Sequence, residues 1–290
     1  MVSSNTKSFL ALIMGAILIA FSPVLIKMTG VAGTLSVFYR MFFGTLTLII
    51  PFSIARFRSK TKLPIKGILI ATLAGLFLSI DMAMWAAGIM ASNAAMPTLV
   101  SNLAPLWVGI GAFFIFKERK SINFWTGLIL ALIGVSFLII HDLYFPTGIF
   151  KGLILGLFSG MFYAGFMLLT QPGRKLLDTL SYLFISTAAT AIFLGIFGLI
   201  QGLTFTGFAT ETWIIFIIMG IVLQAGAWFL INFAQGYLPA SLVAPTLLTQ
   251  PVLTAFIAFF MLGEMLTKWH VLGGIIVLIG IYMVHLKKKK

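Results

Sequence analysis

Six acidic side chains occur in the 290 residues: Asp81, Glu118, Asp142, Asp178, Glu211 and Glu264. Five fall at the ends of apolar runs or in the joints between them, and Asp81 alone lies inside one. A charge at membrane depth costs about 2.5–3.5 kcal/mol on insertion scales, so a retained one is a functional candidate. Arg40 is the other such charge. At a rise of 1.5 Å per residue it lies roughly 9 Å, and Asp81 roughly 13 Å, from the outer end of its span. Matched depth allows them to pair, which would relieve the cost to both. It equally allows Arg40 to receive a substrate carboxylate, or Asp81 to change protonation during a transport cycle.

Amides supply the next candidates. Asn102 and Gln250 each stand close to a proline, Pro105 and Pro251, within an apolar run. Proline removes one helical hydrogen bond and frees a carbonyl. A kinked helix lining a cavity would account for amide and proline together, while interhelical hydrogen bonding is the plainer reading of the amides. Trp85 follows Asp81 by one turn, Tyr163 and Trp228 lie away from the run ends, and Gln224 joins Asn232 and Gln235 in a polar stripe. Core packing is the plainer reading of the three aromatics. The histidines, His141, His270 and His285, are far apart at run ends, and cysteine is absent, so no metal or thiol chemistry is expected. No cofactor is expected either.

These residues must be held by elements suited to lipid. The chain is 61% hydrophobic and 9% charged, with a mean hydropathy of +1.14. A soluble domain could not bury so much apolar surface. Ten runs reach the roughly 20 residues that span a bilayer as helix: 9–28, 34–55, 66–90, 94–116, 122–141, 150–171, 179–201, 212–236, 241–262 and 269–286. The net charge of +13 sits in short clusters between them, where it marks topology rather than a nucleic-acid face. With the N-terminus inside, fifteen Lys and Arg fall on the cytoplasmic side against three outside, which places both termini in the cytoplasm.

The chain also repeats itself. A shift of 146 carries Pro105 onto Pro251, Glu118 onto Glu264, Gly127 onto Gly273 and Gly134 onto Gly280. A shift of 145 carries Thr34-Leu35-Ser36 onto Thr179-Leu180-Ser181. Residues 1–145 and 146–290 therefore read as two homologous halves. Five helices per half is odd, so the second half runs opposite to the first, an inverted repeat of the kind that secondary transporters use. The expected fold is an all-α membrane protein of ten transmembrane helices, two inverted five-helix repeats around a central cavity.

The chain resembles the drug/metabolite transporter superfamily, in its EamA-like branch. The likeness runs through Tyr39-Arg40, Asp81, Trp85, Asn93, Asn102-Leu103-Ala104-Pro105-Leu106, Lys117-Glu118-Arg119, Gly127 and Gly134, then Gln250-Pro251, Leu262-Gly263-Glu264, Gly273 and Gly280. It departs at Phe116-Lys117-Glu118, where the family usually has Leu-Gly-Glu. The resemblance implies transport of a small metabolite across the cell (inner) membrane, foremost the export of amino acids or related compounds. Uptake or exchange of a nucleotide-like compound or a vitamin is the alternative. A lipid-processing enzyme would need more convergent acids, bases or metal ligands than Asp81 and Arg40 supply. The expected partners are a small solute and the bilayer, with no nucleic acid, in a monomer or homodimer. The residues expected to bind substrate or couple its movement are Arg40, Asp81, Trp85, Asn102, Tyr163, Gln224, Trp228 and Gln250.

Overall fold

The structure is a computed structural model that describes residues 4–31, 33–59, 61–91, 95–139, 149–263 and 266–286. Asn93, His141, Asp142, Glu264 and the Lys287–Lys290 tail lie outside the described residues. Every regular element among those described is helical. In chain order they are α1 (Ser4–Ile19), α2 (Ser22–Thr29), α3 (Gly33–Arg58), α4 (Ile65–Ala91), α5 (Ala95–Ser101), α6 (Ala104–Phe116) and α7 (Ile122–Ile139). Then come α8 (Ile149–Leu176), α9 (Thr179–Ile200), α10 (Thr210–Ile218), a π-helical segment (Met219–Ala227), α11 (Trp228–Gln235), α12 (Ala240–Thr246), α13 (Thr249–Leu262) and α14 (Lys268–His285).

Eight continuous or near-continuous stretches are long and apolar enough to cross a membrane, and Ala104–Phe116 and Ile122–Phe137 are shorter apolar helices. Among the described residues each of the ten expected spans is represented by helix, and the chain is a multi-pass membrane protein. Many large apolar side chains remain exposed along them, among them Ile50, Phe114, Ile200 and Phe260. Such surface is at home only against lipid.

Three spans are interrupted, and proline explains where. A proline ring clashes with the carbonyl four residues back and offers no N–H to it. Pro23 lies four residues after Ile19, where α1 ends, and Pro105 four after Ser101, where α5 ends. Pro251 lies four after Leu247, one residue beyond the end of α12. Each proline falls in the first turn of the following helix, where a missing N–H costs nothing. The two later breaks match in detail: Leu103 has φ −71° and ψ −6°, and Leu248 has φ −65° and ψ −7°. Pro51 and Pro172 lie near the ends of uninterrupted helices.

Contacts divide the chain into two compact units that cut across its sequence halves. The first comprises residues 1–83 and 169–238, and the second residues 84–168 and 239–290. In the second unit α7 packs along α14 through the repeated glycines. A Cβ on Gly127 would lie 2.6 Å from Gly280 O, and one on Gly280 would lie 2.6 Å from Gly127 O. A Cβ on Gly134 would meet Gly273 O at 2.8 Å and Val277 N at 2.6 Å. Gly127 and Gly134 are the repeat equivalents of Gly273 and Gly280, so each contact is matched by its own counterpart, as across a two-fold axis. Numbers rise along one helix as they fall along the other. Equivalent helices therefore run in opposite directions.

The first unit carries the same signature at a shift of 145. Gly220 packs on Gly44, where its Cβ would lie 2.8 Å from Gly44 N. Its counterpart Gly75 packs on the α9 backbone, 2.6 Å from Ser186 O and 2.7 Å from the Ala189 methyl. Ala189 is the counterpart of Gly44. Tyr39 closes this unit at the α10 end, stacked on Phe216 at 4.6 Å and donating from its hydroxyl to Phe205 O.

The departure at Lys117 has a backbone consequence. Both α6 and α13 end on a left-handed residue whose N–H reaches the carbonyl five residues back, Ala112 O and Ala258 O. In α13 that residue is Gly263, with φ 68°, whereas in α6 it is Lys117, with φ 55°. An L side chain there costs about 1–2 kcal/mol. The turn is held nonetheless, since Glu118 pairs with Lys120 at 2.8 Å and accepts from Ser241 Oγ at 2.7 Å. Lys117→Gly is expected to raise stability by about 1 kcal/mol; thermal unfolding of the purified protein in detergent checks this, and an unchanged or lower midpoint contradicts the strain.

Candidate functional site

In the first unit, the Pro23 break sets Ser22 at the start of α2, and its Oγ accepts from Arg40 Nη1 at 2.9 Å. Arg40 is 4% exposed and Asp81, on α4, is 9% exposed. Both expected charges are therefore buried in the same unit. Ser22 escaped the sequence reading, although a serine directly before a proline inside an apolar run was the available signal.

The same unit holds Gln224, in the middle of the π segment. Its side chain is 2% exposed, Nε2 donates to Thr187 Oγ1 at 2.9 Å, and Oε1 has no hydrogen-bond partner. The neighbouring α3 backbone presses close, since a Cβ on Gly44 would meet Gln224 Cγ and Cβ at 2.5 and 2.7 Å. π-Helical turns are rare and cluster at functional sites, because the extra residue per turn resets which side chains share a face. The π segment closes with Trp228 N–H on Leu223 O, a five-residue step. The sequence carried no mark of it, as no proline stands between Thr210 and Gln235. Trp228, 4% exposed, opens α11.

In the second unit, Thr98 joins two of the expected residues. Trp85 Nε1 donates to Thr98 Oγ1 at 3.0 Å, and Asn102 Nδ2 donates to Thr98 O at 2.9 Å. Trp85 and Asn102 thus meet on α5, just ahead of the Pro105 break. Gln250 is half-buried in the first turn of α13, at the matching break, and its N–H donates to Leu247 O at 3.0 Å. The carbonyl expected to be freed by Pro251 is in this way reused. Tyr163 is half-buried on α8, its ring 6.1 Å from that of Phe166.

One further polar group gathers at the α8–α9 joint. Arg174 donates from Nε to Asn232 O at 2.9 Å, from Nη2 to Thr179 Oγ1 at 2.6 Å, and from Nη1 to Leu177 O. Asp178 caps α9, accepting from Ser181 N at 2.9 Å and Ser181 Oγ at 2.6 Å. Partial burial alone would push its carboxyl up. The hydrogen bonds of Ser181, the Leu180 amide and the Arg174 charge outweigh that and hold it below the usual carboxylate value.

No group of three or more metal-ligating side chains occurs among the described residues. The polar groups gathered in the two units are amides, hydroxyls and the guanidiniums of Arg40 and Arg174.

The EamA-like transporter family profile matches residues 6–140 and again 150–286, nearly the whole chain in two copies. The chain belongs to the EamA-like transporter family. It is similar to an "Uncharacterized transporter" of Archaeoglobus fulgidus, 27% identical over 278 residues, covering 93% of each chain. It is also similar to the "Uncharacterized transporter YwfM" of Bacillus subtilis, 27% identical over 196 residues, 64% of this chain and 62% of that one. A solved crystal structure shares the fold at a TM-score of 0.83 and 15% identity, over 97% of this chain and 98% of that one. The protein is thus a membrane transporter of the EamA type and not an enzyme.

Proposed function

We propose that this transporter moves amino acids or related small polar metabolites out of the cell, across the inner membrane, as a secondary carrier with both termini in the cytoplasm. Two duplicated halves, 1–145 and 146–290, supply the repeats. The observation that carries the reading is the interruption of the fourth span in both copies, with Asn102 at one break and Gln250 at the other. Broken helices with polar groups at membrane depth are where secondary transporters hold solutes. An amide offers both a donor and an acceptor, which suits the ammonium and carboxylate of an amino acid. The fifteen-to-three distribution of Lys and Arg supports the orientation.

Arg40 and Asp81 are assigned to each other as a buried ion pair, supported by their burial in one unit and by the cost of leaving either charge alone in low dielectric. Breaking such a pair from one side costs about 3–5 kcal/mol. Asp81→Asn and Arg40→Gln are each expected to lower thermal stability by that order, and the double variant to recover much of it. A stable Asp81→Asn protein that has lost only proton-driven flux would instead make Asp81 a proton carrier.

The transport reading is tested in proteoliposomes loaded with radiolabelled amino acids. Efflux should exceed that of protein-free vesicles, and Asn102→Ala and Gln250→Ala should each slow it about tenfold, equivalent to about 1.4 kcal/mol of lost binding. Normal efflux in both variants, with folded protein confirmed by gel filtration, would remove the two breaks from the solute's route. No efflux of any amino acid from the unaltered protein would overturn the substrate class.

A further inference from the structure

The face of the eighth span beyond Gln224 carries more unmet hydrogen-bonding capacity than the described fold uses. Asn232 is 0% exposed; Nδ2 donates to Trp228 O at 2.8 Å, which fixes Oδ1 as the atom left over, and Oδ1 has no partner. Gln235 is 2% exposed, and neither Oε1 nor Nε2 has a partner. With Gln224 Oε1 this makes four buried polar atoms on three side chains. Positions 228, 232 and 235 of α11 recur at steps of four and three, so they share one α-helical face, and Gln224 stands four residues ahead of them in the π segment. At 1.5 Å per residue the stripe runs about 16 Å, from the π segment to the end of α11.

The seam opposite is polar at both ends. Thr187 of α9 meets Gln224, and at the other end Arg174 reaches Asn232 O with Nε and Thr179 Oγ1 with Nη2. Arg174 therefore ties the end of α8 and the start of α9 to the end of α11. An unsatisfied buried polar atom destabilises the fold that holds it. A natural chain keeps four along one stripe when something outside the fold satisfies them. Packing alone would be met at lower cost by Leu or Met.

We propose that Asn232 and Gln235 form a second polar subsite on the solute's route, distinct from the fourth-span breaks, with Arg174 as the strap that closes its end. The identity of the solute rests on the transport reading above; the subsite itself does not. Its chemistry follows from the atoms left over. Asn232 Oδ1 and Gln235 Oε1 are acceptors with two lone pairs each, against the two N–H donors of Gln235 Nε2. The subsite therefore takes a group richer in donors than acceptors: an ammonium, an amide N–H or a hydroxyl, accompanied by water.

The chain has no cysteine, so single cysteines can be read without background. Asn232→Cys and Gln235→Cys, in membranes, are treated with a small hydrophilic methanethiosulfonate. Ile231→Cys, buried and packed on Gly15, is the dry control. Both test positions should react about tenfold faster than the control or more, as expected of a seam that opens to water. Modification should then abolish amino-acid efflux from proteoliposomes. Reaction no faster than at 231 would overturn the proposal, and so would fast reaction with efflux untouched. If the unaltered protein carries none of the amino acids tested, the labelling rates alone decide the subsite, and only the substrate class falls. Should the cysteine variants not fold, hydroxyl-radical labelling of the unaltered protein replaces them. Trp228, on the stripe, should be oxidised faster than Phe216 of the Tyr39 cluster once intrinsic reactivity is corrected. Equal corrected rates would again mean a dry seam.

Discussion

Lipid gives a backbone nothing to hydrogen-bond with, and most of this structure follows from that constraint. Helices satisfy their own polar groups, so every regular element among the described residues is helical. Once a helix has met its own needs, apolar packing between helices has no special advantage over packing on lipid. Close backbone approach through small residues then decides which helices pair. The α7–α14 pair is built that way on four glycines, and the α3 contact with the π segment on Gly44 and Gly220. Because these small residues recur at the repeat shift, with Ala189 standing for Gly44, the pairings inherit the symmetry of the duplication.

The same constraint makes exceptions informative. Where the chain gives up helical hydrogen bonds, at residues 20–21, 102–103 and 247–248, a proline in the first turn of the next helix is responsible. Two of those breaks carry an amide, and the third carries the serine that receives Arg40. Polar side chains are thus concentrated where the backbone is already irregular. A transporter needs this combination, since a solute must find partners at a depth where the bilayer supplies none.

Much of the scaffold was legible in the sequence because its signals are long. Apolar runs near 20 residues, and glycines repeated at a constant shift, announce spans and a duplication without reference to packing. Asn102 and Gln250 were legible through their prolines. Thr98 and Thr187 were not, since a lone hydroxyl in an apolar helix normally bonds back to its own backbone, as Thr45 does to Met41 O at 2.8 Å. The π segment was hidden for a different reason. It arises where the backbone of Gly220 meets that of α3, a tertiary contact that local composition does not encode.

The central claim is that amides buried without full hydrogen bonding are retained for the solute and not for the fold. Gln224 is the sharpest case, with Oε1 unsatisfied beside a satisfied Nε2. Replacing it with methionine keeps the length of the side chain and removes the unmet Oε1 together with the hydrogen bond to Thr187, whose hydroxyl can instead donate to its own helix backbone. The decisive measurement pairs the thermal midpoint of Gln224→Met with its efflux rate in proteoliposomes. The account predicts an unchanged or raised midpoint together with efflux slowed about tenfold, as loss of one ligand hydrogen bond would give. A lowered midpoint with efflux intact would make Gln224 a structural amide and contradict the claim.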